Sequence, residues 1–144
     1  IVGFGKACQI LNEEWVEEAK RLRELRDRLL HKVTEALDEL SVNGSMEHRL
    51  PNNLNISFTY VEGESLMMSL KDLAVSSGSA CTSTSVEPSY SLIALGIDKD
   101  LAHGSFRVGV GRFTTDAEID TAIGVIVEQI TALSGGKSVS AAAE

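Results

Sequence analysis

The chain has 144 residues, of which 43% are hydrophobic, and a formal net charge of −8. This length is enough for one domain with a real core. The acidic balance argues against a general nucleic-acid binder, which needs a basic face for phosphate contacts. No apolar run reaches the roughly 18 residues that span a bilayer. The chain opens on Ile1 without a charged leader, so we expect an intracellular fragment of a longer protein.

The first predicted element is a long helix over residues 10–40, in which apolar residues recur at three- and four-residue steps. Two acid–arginine pairs, Glu17 with Arg21 and Glu24 with Arg28, have the i,i+4 spacing of a solvated helix face. Cys8 stands at or before the start of this helix, where we expect a buried structural thiol.

Residues 54–60 alternate between apolar and polar side chains and predict a half-buried strand, with Leu54, Ile56, Phe58 and Tyr60 on one side. A short helix is predicted over 65–70 and a brief strand over 74–76.

Segment 76–85 is unusual, because eight of its ten residues are Ser, Thr or Gly. Such a segment cannot build a core, so we expect an exposed, mobile loop. The thiol of Cys81 lies in it, and packing does not explain a cysteine in this setting. A reactive thiol needs access and a lowered pKa. Composition alone leaves a reactive Cys81 and a chance exposed thiol equally open.

The remaining pattern predicts a helix over 88–95, a strand over 105–110 and a last helix. Phe106, Val108 and Val110 fall on one side of that strand and Arg107 on the other. Thr115 and Glu118 form a capping box at the start of the last helix, and residues 135–144 predict a disordered tail. Together these elements indicate an α+β fold, with a small, mainly antiparallel sheet covered by helices on one face.

Several segments in fixed order resemble one family, the cysteine desulfurases of the IscS/NifS type, up to about residue 133. The segment around the thiol, SSGSACTS at 76–83 followed by EPSY at 87–90, resembles their active-site loop. Three more segments fit the same family: PNNLNISF at 51–58, VEGESL at 61–66 and GRFTT at 111–115. Ordered motifs of this number make the resemblance much more specific than one short pattern.

The resemblance implies the small C-terminal domain of a homodimeric, fold type I pyridoxal-phosphate enzyme, covering residues 1–134 with 10–40 as a linking helix. It implies that Cys81 is the nucleophile that takes sulfur from L-cysteine as a persulfide, releasing L-alanine. It also implies that Arg107 binds the substrate carboxylate, for which a planar guanidinium is well suited. A structural ion pair is the alternative for Arg107 and the preferred interpretation for Arg112.

The family's cofactor-binding lysine belongs to the large domain, and none of the lysines here lies in a matching motif. The resemblance therefore implies no cofactor-binding residue in this chain, no metal, and inactivity in isolation. Expected partners are the large domain, a second subunit and a sulfur acceptor such as an iron–sulfur scaffold or a tRNA-thiolation relay. Neither nucleic acid nor a membrane is expected, and the implied compartment is the cytoplasm or the mitochondrial matrix. The alternative function is a non-catalytic sulfur-relay or interaction module that keeps the persulfide loop.

Overall fold

A computed structural model describes residues 1–76 and 88–135. The elements within these ranges are α1 (Val2–Ala36), β1 (Leu40–Val42), β2 (Asn53–Phe58), α2 (Gly63–Ser69), α3 (Tyr90–Ala94), α4 (Lys99–His103), β3 (Ser105–Gly109) and α5 (Asp116–Leu133). Most of the predicted loop, with Cys81, and the predicted tail from residue 136 lie outside the described residues.

Helix α1 is longer at its start and shorter at its end than the predicted helix over 10–40. Its C-terminal half buries a stripe spaced by three and four residues, formed by Leu22, Leu25, Leu29 and Val33. The helix ends where Leu37 turns extended and Glu39 takes a positive φ of 60°. The apolar pattern continues past this point, but its next members belong to strand β1, which was not predicted.

The expectation of a buried thiol at Cys8 is wrong. Cys8 lies inside α1, and it is exposed. Large apolar side chains in the first half of α1, such as Phe4 and Trp15, are exposed as well.

The three strands form an antiparallel sheet in the order β1–β2–β3. Leu54, Ile56 and Phe58 of β2 are buried on one face, and Phe106 lies opposite Ile56 on β3. The rings of Phe58 and Phe106 stack with centroids 5.8 Å apart. Tyr60, which was predicted to continue the buried side, lies beyond the strand and is 47% exposed.

Helices α1 and α5 pack together against the apolar face of the sheet and share one core with it. The predicted capping box of α5 is confirmed: Thr115 Oγ1 accepts from the Glu118 N–H, and Glu118 accepts from the Thr115 N–H. Arg28 reaches across to Asp116 and Asp120 at 2.8 and 2.5 Å. The predicted pairing of Arg28 with Glu24 is therefore wrong.

The mixed helix and antiparallel-sheet architecture confirms the predicted α+β class. Other elements differ in extent: the segment before residue 77 forms one isolated bridge at Ser76 instead of a strand, and α4 was not predicted. None of the helices in the described ranges combines the length and the apolar character that a membrane span needs.

Candidate active site

A row of polar residues crosses the sheet on the face opposite the core. Asn43 continues the β1–β2 pairing by donating its N–H to the Asn55 carbonyl, 2.9 Å away. Asn55 lies opposite Arg107 on β3, and Arg107 lies opposite Ser76 in an antiparallel bridge. Residues directly opposite in a ladder project to the same face. The polar row therefore runs Asn43, Asn55, Arg107, Ser76.

Backbone hydrogen bonds fix Arg107 within this row. Its N–H donates to the Ser76 carbonyl at 2.6 Å, and its carbonyl accepts from the Ser76 N–H at 3.3 Å. Both groups therefore point away from β2, which makes Arg107 and Asn55 a non-hydrogen-bonded pair. The Cα atoms of such pairs are only about 4.5 Å apart, so their side chains lie close together.

The side chain of Arg107 is exposed, as its position on β3 predicts. No acidic side chain within residues 1–76 and 88–135 pairs with it. The ion-pair alternative for Arg107 thus finds no partner in these ranges. Ser76 is the last described residue before the segment that contains Cys81, so Arg107 is paired with the residue that directly precedes that segment in the sequence.

At the other end of the polar row, the buried side-chain amide of Asn43 holds its neighbours in place. Asn43 is only 3% exposed, and its Nδ2 donates to Asn55 Oδ1 at 2.6 Å and to Ser57 Oγ at 2.7 Å. Buried polar groups cost stability unless they are hydrogen-bonded, so these contacts fix the Asn55 side chain next to Arg107. Sequence reasoning did not identify this network, although the alternation of β2 places Asn55 and Ser57 on the polar side.

Arg112 has a structural setting unlike that of Arg107, and the preferred interpretation of an ion pair is confirmed. Its Nη2 lies 2.8 Å from both Glu14 and Glu18 of α1. The hydrogen bond from Arg112 is the main reason that the pKa of Glu18 lies below its usual value.

Arg21 of α1 also binds this turn, through backbone carbonyls. It donates to the carbonyls of Arg112 at 2.6 Å and Thr114 at 2.8 Å. Arg21 is thus engaged with the turn after β3, and the predicted Glu17–Arg21 pair does not form.

The described lysines lie apart from the polar row. All of them are exposed on the surface, and none belongs to the row: they are Lys6, Lys20, Lys32, Lys71 and Lys99. The chemistry that the polar row can support is the binding of an anionic group. A guanidinium beside an amide, on an open face of a rigid sheet, can bind a carboxylate through several N–H donors.

Comparison with known proteins gives the family. The model of the aminotransferase class-V family matches residues 1–121. Among curated proteins, the cysteine desulfurase IscS of Anaeromyxobacter sp. is 57% identical over 92% of this chain and 33% of its own length. IscS of Proteus mirabilis is 63% identical over 85% of this chain and 30% of its own length. The mitochondrial cysteine desulfurase of Arabidopsis thaliana is 57% identical over 92% of this chain and 29% of its own length.

Solved structures agree with the sequence comparison. A NifS-like protein superposes with a TM-score of 0.77 at 28% identity, covering 92% of this chain and 33% of that one. The chain therefore spans about a third of the length of the relatives it matches. The chain belongs to the aminotransferase class-V family and, within it, is of the IscS/NifS cysteine desulfurase type.

Proposed function

We propose that this chain is the small C-terminal domain of a pyridoxal-phosphate-dependent cysteine desulfurase, which converts L-cysteine to L-alanine and keeps the sulfur on Cys81. The observation that carries the proposal is the backbone bridge between Ser76 and Arg107. The bridge holds Ser76, five residues before Cys81 in the sequence, beside the residue proposed to bind the substrate.

In this proposal Arg107 binds the carboxylate of cysteine. The guanidinium is exposed on strand β3, which pairs with β2 on one side and with Ser76 on the other. A preorganised fork of N–H donors loses little freedom when it binds a carboxylate bidentately. Arg107 therefore sets the orientation of the substrate and, with it, the position of the substrate sulfur.

Cys81 then acts as the nucleophile. Its thiolate attacks the sulfur of the bound cysteine, and a sulfur–sulfur bond forms while the carbon–sulfur bond of the substrate breaks. The carbon keeps the electron pair and takes up a proton, which yields alanine. Cys81 is left as a persulfide, so atoms and electrons balance without an added oxidant.

The cofactor belongs to the other part of the proposed enzyme. Pyridoxal phosphate supplies an electron sink for the substrate carbon. We infer that its lysine and phosphate ligands come from a large domain, to which α1 is the linking helix. The chain without that domain would then be inactive.

The wider role follows from the same proposal. The persulfide would pass to an acceptor, either an iron–sulfur scaffold protein or a tRNA-thiolation relay, and the enzyme would be a homodimer. The matched relatives include bacterial IscS proteins and a plant mitochondrial enzyme. A bacterial source would place the protein in the cytoplasm and a eukaryotic one in the mitochondrial matrix.

A chimera tests the proposal directly. Residues 1–135 replace the matching segment of the Proteus mirabilis IscS, to which the chain is 63% identical over 123 residues. With cysteine and pyridoxal phosphate, the chimera should release alanine and accumulate a persulfide. Cys81→Ala should abolish both, and Cys8→Ala should change neither, because Cys8 is exposed on α1 away from the polar row.

Two outcomes count against the proposal. If the Cys81→Ala chimera still releases alanine, the role assigned to that thiol is wrong. A chimera that binds pyridoxal phosphate but accepts a persulfide only from another protein would favour a non-catalytic sulfur-relay module.

A further inference from the structure

A second concave site lies away from the polar row, between α1 and the turn that follows β1. It is an open pocket of about 620 Å³. Basic side chains dominate its lining, with Arg23, Arg26, His31 and Arg49 against the carboxylates of Asp27 and Glu47. In a chain with a net charge of −8, such a local excess of positive charge requires an explanation.

Arg49 lines this pocket, and two of its nitrogens are held by backbone carbonyls. Its Nε donates to the Ser45 carbonyl at 3.0 Å, and its Nη2 donates to the Asn43 carbonyl. Its Nη1 is buried and hydrogen-bonds to no other described residue. Burial, and next the positive charge of Arg26, hold the pKa of Arg49 below its usual value.

Arg26 is the second guanidinium at the pocket, and its side chain is only 4% exposed. Nε and Nη2 both donate to the same oxygen of Asp27, at 2.8 and 2.6 Å, and Nη1 donates to the Leu50 carbonyl at 3.3 Å. Among the described residues, Asp27 is thus the one acid that neutralises the charge of Arg26, and Arg49 forms no ion pair with any of them.

We propose that this pocket binds an oxyanion, a carboxylate or a phosphate group, between the guanidinium groups of Arg26 and Arg49. Arg49 carries a positive charge that no described carboxylate offsets, and an anion in the pocket would offset it. The anion would also screen the repulsion between the two arginines. Planar forks suit the paired oxygens of both anion types, and Leu30 and Met46 supply the apolar part of the wall.

Titration of the 144-residue chain with inorganic phosphate, at ionic strength held constant with sodium chloride, tests the proposal. Calorimetry should show saturable binding at one site, and acetate as a second titrant separates the two anion types. Arg49→Met should weaken phosphate binding at least tenfold. Thr34→Glu places a carboxylate at the pocket without removing a basic residue, and should weaken it similarly by competition.

Lys6→Met is the matched control. It removes one positive charge from the same helix, at an exposed position about 25 Å from Arg23 at 1.5 Å per residue, and should leave the affinity unchanged. The site is supported if Thr34→Glu loses the binding of phosphate or acetate while Lys6→Met keeps it. This comparison decides the question even if Arg49→Met fails to fold. The proposal is overturned by an absence of saturable binding, or by equal binding in Thr34→Glu and Lys6→Met.

Discussion

Arg107 and Arg112 carry the same guanidinium group in opposite settings. Arg112 contacts two carboxylates of α1 and serves to hold the turn after β3. Arg107 projects from the open face of the sheet, and no acid of the described residues contacts it. A cation that is fixed in position but not neutralised is suited to bind an anionic group of a ligand.

This contrast gives a prediction for the chimera with Proteus mirabilis IscS. Arg107→Ala should raise KM for cysteine about 10- to 100-fold, because hydrogen bonds to a charged group contribute about 1.5–3 kcal/mol. Arg107→Lys should recover part of the loss, since it keeps the charge but not the fork. Steady-state kinetics measures both values.

Arg112→Ala is the control, because it removes an arginine whose partners are structural. It should leave KM near that of the parent chimera while lowering thermal stability. An unaltered KM in Arg107→Ala would instead point to a structural role for Arg107.

At the scale of elements, the start of α2 depends on a close approach to the end of α4. A Cβ atom added to Gly63 would lie 1.8 Å from the carbonyl oxygen of His103. Both partners are backbone, so neither can move aside cheaply. Gly63→Ala should destabilise the chain by about 1–3 kcal/mol, the usual cost of overpacking.

Gly124 provides the matched substitution for this prediction. It lies inside α5, and a Cβ there meets nothing within 4 Å. Gly124→Ala should stabilise the chain by up to about 1 kcal/mol, since glycine is unfavourable in a helix interior. Urea unfolding compares the two variants, and equal effects would contradict the close approach at Gly63.

The capping box of α5 gives a pH prediction. Hydrogen bonds from the N–H and then the hydroxyl of Thr115 hold the pKa of Glu118 below its usual value of 4.5. A group with a lowered folded pKa stabilises the fold above its unfolded pKa, and this contribution is lost as pH falls through the folded value. Glu118→Gln keeps a capping box but cannot titrate.

Unfolding free energies measured between pH 6 and pH 3 should therefore fall less in Glu118→Gln than in the parent chain. Glu18 and Glu62 also have a lowered pKa. They remain in both proteins, so both proteins share the loss of unfolding free energy that these carboxylates cause as the pH falls. Identical pH profiles would show that the Glu118 carboxylate does not stabilise the helix start.

The sequence predicted those elements whose signals are local. The alternation of β2, the side of β3 that carries Arg107, and the capping box of α5 all follow from residues within a few positions of one another. The end of α1 was misplaced because the apolar repeat runs on through Leu37 and Leu40, although the backbone turns at Glu39.

Long-range partners could not be predicted from local pattern. Arg21 and Arg28 have acids at i,i+4 spacing, yet both bond to residues about 90 positions away, where the fold brings better-placed acceptors. The polar row depends on the register of β1, β2 and β3 together. That register is set by which faces the strands bury, which a single segment does not reveal.

At the scale of the whole molecule, α1 is divided into a half that packs in the core and a half whose apolar side chains are exposed. The part from Leu22 onward contributes to the core, whereas Trp15 is 55% exposed and Val16 is 62% exposed. A helix part whose apolar side chains are not packed gains little beyond its own marginal stability.

The fluorescence of Trp15 reports on the surroundings of this half of α1, because Trp15 is the single tryptophan of the chain. In the 144-residue chain its fluorescence emission should resemble that of an indole in water and shift little on unfolding. Hydrogen exchange should be fast around Trp15 and slow around Leu29. A strongly blue-shifted emission in the folded chain would mean that this half of the helix packs on another surface.

The bridge between Ser76 and Arg107 also limits where sulfur could be delivered. Cys81 is five positions after Ser76, and a fully extended chain spans at most about 3.6 Å per residue. The Cα of Cys81 therefore cannot lie more than about 18 Å from that of Ser76, and the bridge holds Ser76 beside Arg107. If Cys81 carries sulfur as proposed, an acceptor has to approach Arg107 to about this distance while the bridge is intact, and opening the bridge would free Ser76 to move away from Arg107.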